Sequence, residues 1–263
     1  MNKFTKSNFI KLTDDVLKFQ LSAIYPVKIK NEPERVNLVF LNHDRNFSTF
    51  LTIKYLVEQG RVADIYTLSR TMFESIISMG LLANKIIKND LERYQTYQFT
   101  EIFKTHSHLK KLGLEKTIGL TQKEFEFVQQ KRDQYISKFG RKLSSWTGES
   151  LEGNVKLIDT LVPPTCNEKH FYEYLYCQVY RKGSQSAHSS FAGISKGVEV
   201  EKAAVPGLFF AQRLKPNESH LIFSCFHSLI VFLSSVRFLG YLLKKKETEE
   251  YFHKISKHII SEF

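Results

Sequence analysis

The chain has 263 residues, 42% of them hydrophobic, which allows one large domain or two modest ones, and we favour one. Its 38 Lys and Arg against 27 Asp and Glu give a formal net charge of +11, which favours a phosphate backbone or an anionic membrane surface as partner. Three widely spaced cysteines without a Cys-x-x-Cys pair argue against a disulfide framework and a zinc knuckle, so we expect a cytoplasmic protein.

Apolar residues recur at spacings of three and four over nearly the whole chain, and strand-like alternation is scarce. This pattern predicts an all-α protein. Proline or glycine ends several of the segments, and Thr121 with Glu124 forms a capping-box start. The helices predicted in the first half are Lys6–Ile24, Pro33–Gln59, Arg61–Ile87, Leu91–Leu112 and one from Thr121 to about Phe139.

The second half is predicted to alternate helices with one irregular segment. That segment, Ser189–Asn217, is interrupted by glycine and proline and holds a short strand at Gly207–Gln212. The helices predicted around it are Glu149–Leu161, Asn167–His188, Leu221–Leu243 and Glu247–Ile260. Together the pattern predicts a single-domain bundle of about seven to nine helices over 1–263. Residues 31–195 would form its core, with the helices of 218–263 packed on it.

The segment Leu221–Leu243 is long enough to cross a membrane. It carries His227, Arg237 and several serines, so we interpret it as a core helix that is apolar nearly all round, and we expect no stable membrane insertion. An effector that acts on membranes through this segment is the alternative that remains open.

The chemistry-bearing residues concentrate near the end of the helix Asn167–His188. Tyr180, Ser184 and His188 follow each other at steps of four, so on a helix they share one face, with Arg181 one position round and seven before the histidine. A guanidinium and an imidazole about two turns apart can meet one phosphate. The alternative is a helix end whose polar side chains cap the following loop.

An all-helical chain in which six residues separate Arg181 from His188 resembles the HEPN superfamily, named for higher-eukaryote and prokaryote nucleotide-binding domains. The resemblance implies a metal-independent ribonuclease that acts as a dimer, often as a toxin or antiviral effector. It assigns the motif arginine to Arg181 and the motif histidine to His188. The family often has a small polar residue directly after the arginine, where this chain has Lys182, a further candidate for binding phosphate.

A broader resemblance joins three parts of the chain: Arg61 to Glu74, Trp146, and Tyr180 with Ser184 and His188. Over roughly 40–195 the chain is similar to a bacterial helical family of unknown function. This resemblance implies no activity. It does bring Arg70 and Glu74 together with the Tyr180 to His188 stripe, either as a local ion pair or with Arg70 as a second phosphate-binding cation.

The function predicted is a metal-independent endoribonuclease, with Arg181 and His188 catalytic and Tyr180, Ser184, Arg70, Glu74 and Lys182 in support. We expect no cofactor and no metal, since His106 and His108 lack the spacing of a zinc site. RNA and a second copy of the chain are the expected partners, and a regulatory protein is a further candidate. The rival is a non-catalytic module that binds nucleic acid or protein. In it a buried polar network fixes the helix packing and consists of Tyr180, Ser184, His188, Arg70 and Glu74.

Overall fold

The computed structural model describes residues 5–25, 32–114, 117, 119–140, 145–161, 169–188, 199–202, 209–213 and 218–262, and for 199–202, 209–213 and 260–262 it describes the backbone alone. The chain forms two compact units, a larger one of Met1–Asn84 with Val155–Phe263 and a smaller one of Lys85–Asn154. The all-α bundle predicted from the sequence is confirmed. A single domain over the whole chain stays a prediction.

The helices follow the predicted order closely. They are α1 Lys6–Ala23, α2 Glu34–Glu58, α3 Val62–Ala83, α4 Asp90–Lys111, α5 Gln122–Phe139, α6 Leu151–Leu161, α7 Phe171–Leu175, α8 Lys182–Ala187, α9 Glu218–Leu242 and α10 Lys246–Glu262. Between α7 and α8 the chain forms a π-helical turn, Tyr176–Arg181.

Two short strands lie between α8 and α9. β1 is Glu199–Lys202 and β2 is Phe209–Arg213, and they pair antiparallel with Lys202 opposite Phe209. The strand predicted at Gly207–Gln212 coincides largely with β2, whereas β1 was not predicted. The other residues of the predicted irregular segment lie outside the described part of the chain.

Helix α9 is the centre of the larger unit. It packs against α3, α2, α10 and α1, and every residue from Ser224 to Gly240 is buried. Its buried serines donate hydrogen bonds to carbonyl oxygens of the preceding turn, as Ser228 does to Ser224 O at 2.6 Å, which satisfies hydroxyls on an otherwise apolar surface. Burial on all sides explains why a helix long enough to span a membrane lacks a polar face, and it is consistent with no stable membrane insertion.

Buried polar contacts join the central helices. His43 on α2 lies 3.1 Å from Gln20 Nε2 of α1 and 3.0 Å from Ser235 Oγ of α9. Burial lowers the pKa of His43 to about 4, so the imidazole is neutral at neutral pH. Ser69 and Ser228 form a second buried bond, at 2.6 Å, between α3 and α9. These contacts fix the register of α1, α2 and α3 on α9.

The smaller unit is built on the pair α4 and α5. The predicted capping box is confirmed, because Thr121 Oγ1 accepts from Glu124 N and the Glu124 carboxylate accepts from Thr121 N. The Tyr135 hydroxyl donates to the Trp146 carbonyl at 3.0 Å, and the Trp146 ring meets Tyr94 edge to face. The tryptophan therefore closes the apolar side of this hairpin.

Two helix ends differ from the prediction. Helix α3 ends at Ala83 instead of Ile87, because Lys85 takes a left-handed φ of 54° that stops the helix. Helix α7 begins at Phe171 after His170, whose φ is 65°, so the described helix starts later than Asn167. Residue 167 itself lies outside the described part of the chain.

Candidate functional site

The candidate site lies where α8 packs on α3, and Gly183 makes this contact possible. A Cβ at Gly183 would lie 2.5 Å from the Tyr66 carbonyl oxygen and 2.7 Å from Arg70 Cβ. Only glycine therefore fits at this crossing. The glycine that lowers the helix propensity of the segment is also what brings the backbone of α8 next to Arg70.

The π-helical turn, Tyr176–Arg181, forms the approach to this contact. Within it the rings of Tyr176 and Tyr180 stack at a centroid distance of 5.2 Å and an interplanar angle of 13°. Phe73 of α3 lies against Tyr176 at 6.5 Å. Single π-helical turns inside α-helices occur frequently at functional sites, and this one holds two aromatic rings in register beside the catalytic candidates.

Each of the two stacked rings carries a guanidinium. Arg70 Cζ lies 4.9 Å from the centroid of the Tyr180 ring, and Arg181 Cζ lies 5.3 Å from that of Tyr176. Arg70 Nε also donates to Glu74 Oε1 at 3.1 Å. Arg70 thus makes the local ion pair and also faces Tyr180 of the stripe. Its role as a second phosphate-binding cation stays a prediction. We call Arg70, Tyr176, Tyr180 and Arg181 the Arg–Tyr cluster.

Arg181 and His188 are both exposed. The backbone N–H of His188 donates to the Ser184 carbonyl at 3.0 Å, so the helical path continues to the histidine. Arg181 and His188 flank the six residues of α8. At α-helical geometry seven steps rotate by about 700°, within about 20° of two full turns, and rise by about 10 Å. The backbone positions of the two residues therefore lie on nearly the same face of the helix, one above the other.

The buried polar network considered for the rival function is not found at these residues. Tyr180, Ser184 and Arg70 are partly exposed, and Glu74 and His188 are exposed. The network in the core of the larger unit is instead formed by other side chains, those around His43 and Ser69. The polar groups of the stripe are accessible to a ligand in solvent.

A comparison with known proteins places the chain in a family. The model of the Family of unknown function (DUF5677) matches residues 36–203, which is more than half of the chain. The chain belongs to DUF5677. The resemblance over roughly 40–195 to a helical family of unknown function is thereby confirmed, whereas the HEPN resemblance stays a prediction. No curated protein and no solved structure matches the chain.

The DUF5677 region contains every predicted site residue. Helices α3, α7 and α8 and all but the first two residues of α2 lie inside 36–203, and α9 and α10 follow it. Within the region, the Arg–Tyr cluster joins residues of α3 to residues of the π-helical turn that lie about 110 positions later in the chain. The family region therefore includes both sides of the candidate site.

Lys182 is turned away from the Arg–Tyr cluster toward α9. Its Nζ lies 4.0 Å from the centroid of the Phe223 ring, and burial lowers the pKa of the ammonium. Lys182 follows Arg181 in the sequence, but the two side chains extend toward different parts of the structure. A role for Lys182 in binding phosphate stays a prediction.

A tyrosine–histidine pair beside Lys182 was not predicted. His227 Nδ1 lies 2.7 Å from the Phe223 carbonyl and must donate to it, so Nε2 accepts from the Tyr174 hydroxyl at 3.1 Å. Burial lowers the pKa of His227 to about 4, and the charge of Lys182 acts in the same direction. The imidazole is neutral and serves to hold Tyr174. Tyr174 and His227 lie in different helices, far apart in the sequence, so no short spacing pattern could predict their contact.

The remaining histidine candidates do not form a metal site. Among the described residues, no group of three His, Cys, Asp or Glu side chains lies together as a metal ion would require. His106 is buried and stacks on Phe125 at 3.8 Å, while His108 is exposed on another side of α4. The two histidines thus have separate surroundings, as their spacing of two predicts.

Proposed function

We propose that this member of DUF5677 is a metal-independent endoribonuclease of the cytoplasm that serves as a toxin or antiviral-defence effector. The observation that carries the proposal is that Arg181 and His188 are both exposed on nearly one face of the helix that crosses α3. Beside them, the Arg–Tyr cluster supplies a second guanidinium and two stacked rings. A cation, an imidazole and an aromatic surface are the groups that RNA cleavage and RNA binding require.

The reaction begins with the ribose 2′-hydroxyl. His188 takes the proton of this hydroxyl, the 2′ oxygen forms a bond to phosphorus, and the bond from phosphorus to the 5′ oxygen breaks. Arg181 stabilises the added negative charge of the pentacovalent phosphorane. A proton then passes to the leaving 5′ oxygen, so the products are a 2′,3′-cyclic phosphate and a 5′-hydroxyl, and no water or metal is consumed.

The Arg–Tyr cluster would hold the strand on which this reaction takes place. The Arg70 guanidinium stays close to Tyr180 while Glu74 restrains it from one side, which keeps a cation at a fixed position. The excess of positive charge over the chain adds a long-range attraction for a polyanion. Unpaired bases could stack on the guanidinium planes that lie over these tyrosine rings.

A second copy of the chain completes the proposed mechanism. One imidazole cannot comfortably remove the proton from the 2′ oxygen and also supply one to the 5′ oxygen on the opposite side of phosphorus. An isologous dimer would bring the His188 of another copy to the leaving group. The proposal therefore includes a homodimer whose two-fold axis passes close to α8.

The test is incubation of the purified chain with total RNA in the presence of a metal chelator. We expect the wild type to cleave RNA and His188→Ala and Arg181→Ala to lose at least a hundredfold in rate, the usual effect of losing a general acid–base or a charge-stabilising group. His108→Ala, which removes an exposed histidine in the smaller unit, is the matched control and should cleave as the wild type does. Equal rates for wild type and His188→Ala would reject the proposal.

The second candidate is a module that binds single-stranded RNA without cleaving it. The stacked Tyr176 and Tyr180 rings with their two guanidiniums favour it, because such a surface binds bases and phosphates without using His188. Binding of a fluorescent RNA distinguishes the two functions. The binding module predicts that Arg181→Ala weakens binding, that His188→Ala binds as the wild type does, and that no chain cuts RNA.

A further inference from the structure

A cavity of about 430 Å³ opens where α9 turns into α10, and no residue of the Arg–Tyr cluster lines it. Phe238, Gly240 and Tyr241 of α9 form its apolar part, and Asn84 at the end of α3 also lines it. The volume is that of a pocket for a small organic molecule. Tyr241 is 61% exposed, so an aromatic residue is available at the cavity.

Four cationic residues also line the cavity: Arg237, Lys244, Lys245 and Lys246. Thr248 and Glu249 complete the lining. Arg237 donates to Glu249 at 2.6 Å, and Lys245 lies 3.7 Å from Glu247. Among the described residues, Lys244 and Lys246 have no acidic partner within ion-pair distance. Lys244 and Lys246 therefore border the cavity without an ion pair, next to the first turn of α10, where Glu247 and Glu249 offset the helix dipole.

The backbone of the turn does not account for a lysine at position 244. Lys245 N–H donates to the Gly240 carbonyl at 2.8 Å and Lys244 N–H to the Tyr241 carbonyl at 3.2 Å, which is the Schellman arrangement that ends a helix. Lys244 occupies its left-handed position, with a φ of 55°, where glycine is favoured. Although the turn favours glycine at position 244, the chain has a lysine there, and its charge lies beside the cavity.

We propose that this cavity binds a small organic phosphate with an apolar body. A phosphate monoester carries between about one and a half and two negative charges near neutral pH, which matches the two ammonium groups of Lys244 and Lys246. The apolar body lies against Phe238 and Tyr241, whose surface an inorganic ion would leave exposed to water. The inference does not depend on RNA cleavage, since it uses none of the same residues.

The test is isothermal titration calorimetry of the full chain with four probes: 1-naphthyl phosphate, adenosine monophosphate, adenosine and inorganic phosphate. We expect at least one organic phosphate to bind to one site per chain, at least tenfold more tightly than inorganic phosphate. Binding of adenosine monophosphate but not naphthyl phosphate would identify a nucleotide as the source, and binding of both would identify any apolar monophosphate. Each of these results supports the proposal. Failure of both to bind, or binding no tighter than that of inorganic phosphate, would overturn it.

Lys244→Gly assigns the binding to this cavity. The substitution removes the charge and relieves the left-handed backbone, so the variant should unfold at the same or a higher urea concentration while its affinity for the organic phosphate falls at least tenfold. Lys257→Ala removes one exposed cation about three turns further along α10 and should bind as the wild type does. Arg181→Ala should also bind normally. Unchanged affinity in Lys244→Gly, or an equal loss in Arg181→Ala, would contradict the assignment.

Discussion

At position 183 a hydrogen atom in place of a Cβ decides how closely α8 approaches α3. The nearest atoms to a Cβ there belong to the Tyr66 backbone and to Arg70 Cβ, neither of which can move without shifting α3. The position of Arg70 relative to Tyr180 therefore depends on a residue that carries no functional group. In this site Arg70 and Tyr180 supply the functional groups, whereas Gly183 allows the packing that brings them together.

Gly183→Ala should lower the free energy of unfolding by about 2–3 kcal/mol, because the added methyl group overpacks the crossing of α8 and α3. Gly153→Ala is the matched control. The nearest atom to its Cβ is Ser150 Oγ at 3.4 Å, so the change should be neutral or stabilising by up to about 1 kcal/mol through helix propensity. Urea unfolding of the three chains measures both values. Equal stability of Gly183→Ala and wild type would show that the close approach is absent.

Part of the candidate site could be predicted from spacing alone. Arg70 and Glu74 are four residues apart, so they contact each other within one helix. Arg181 and His188 are seven residues apart, so they lie on nearly the same face of the helix. Both relations depend only on helical geometry. The contact of Arg70 with Tyr180 and the close approach at Gly183 depend on how two helices cross. Such contacts leave no local pattern, so the sequence could not predict them.

At the scale of elements, helix boundaries were predicted within a few residues where local chemistry sets them. The start of α5 follows from Thr121 and Glu124, which satisfy each other's backbone N–H groups. The end of α3 was predicted too late, because nothing in the residue type of Lys85 indicates a left-handed φ. The π-helical turn was missed for a similar reason, since no residue type specifies a π-helical turn in the way that proline specifies a stop.

Thr121→Ala should lower the free energy of unfolding by about 1 kcal/mol, the usual effect of losing an N-cap side chain. The Thr121 backbone N–H lowers the pKa of Glu124 most, and the Thr121 hydroxyl, which the substitution removes, lowers it further. Thr105→Ala, an exposed threonine inside α4, is the control and should change stability by less than about half as much. The comparison requires urea unfolding curves of the full chain. A loss as large in Thr105→Ala would remove the cap as the explanation.

At the scale of the whole molecule, two neutral histidines are buried in the larger unit. His43 and His227 both have a pKa of about 4, chiefly because burial disfavours the charged imidazole. A histidine in the unfolded chain takes up its proton near its ordinary pKa of about 6.5. As pH falls, the unfolded chain therefore binds protons before the folded chain does, and the folded state loses stability between about pH 6.5 and about pH 4.

The double variant His43→Gln and His227→Gln should lose this part of the pH dependence. We expect the wild type to lose about 2–3 kcal/mol per buried histidine between about pH 7 and about pH 4, in addition to the loss that the double variant shows. His108→Gln, in which an exposed histidine is replaced, should keep the dependence of the wild type. Unfolding in urea at several pH values measures the difference. Parallel pH profiles for wild type and double variant would contradict the buried neutral state.

The proposed mechanism also predicts a property of the homodimer, because His188 of two copies would act on one phosphate. In a mixture of wild-type and His188→Ala chains, a mixed dimer carries only one of the two imidazoles, so the activity should fall below the share of wild-type chains. Two copies with independent sites should keep an activity in proportion to that share. The rate of RNA cleavage by mixtures of several compositions decides between these arrangements.

The most direct test of the central claim is cleavage of one defined single-stranded RNA and of its 2′-deoxy counterpart, in chelator, with analysis of the new ends. The account predicts that the chain cuts only the RNA and leaves a 2′,3′-cyclic phosphate and a 5′-hydroxyl, and that His188→Ala produces neither. Cleavage of both strands at the same rate, or RNA left intact by the wild-type protein, would contradict the account.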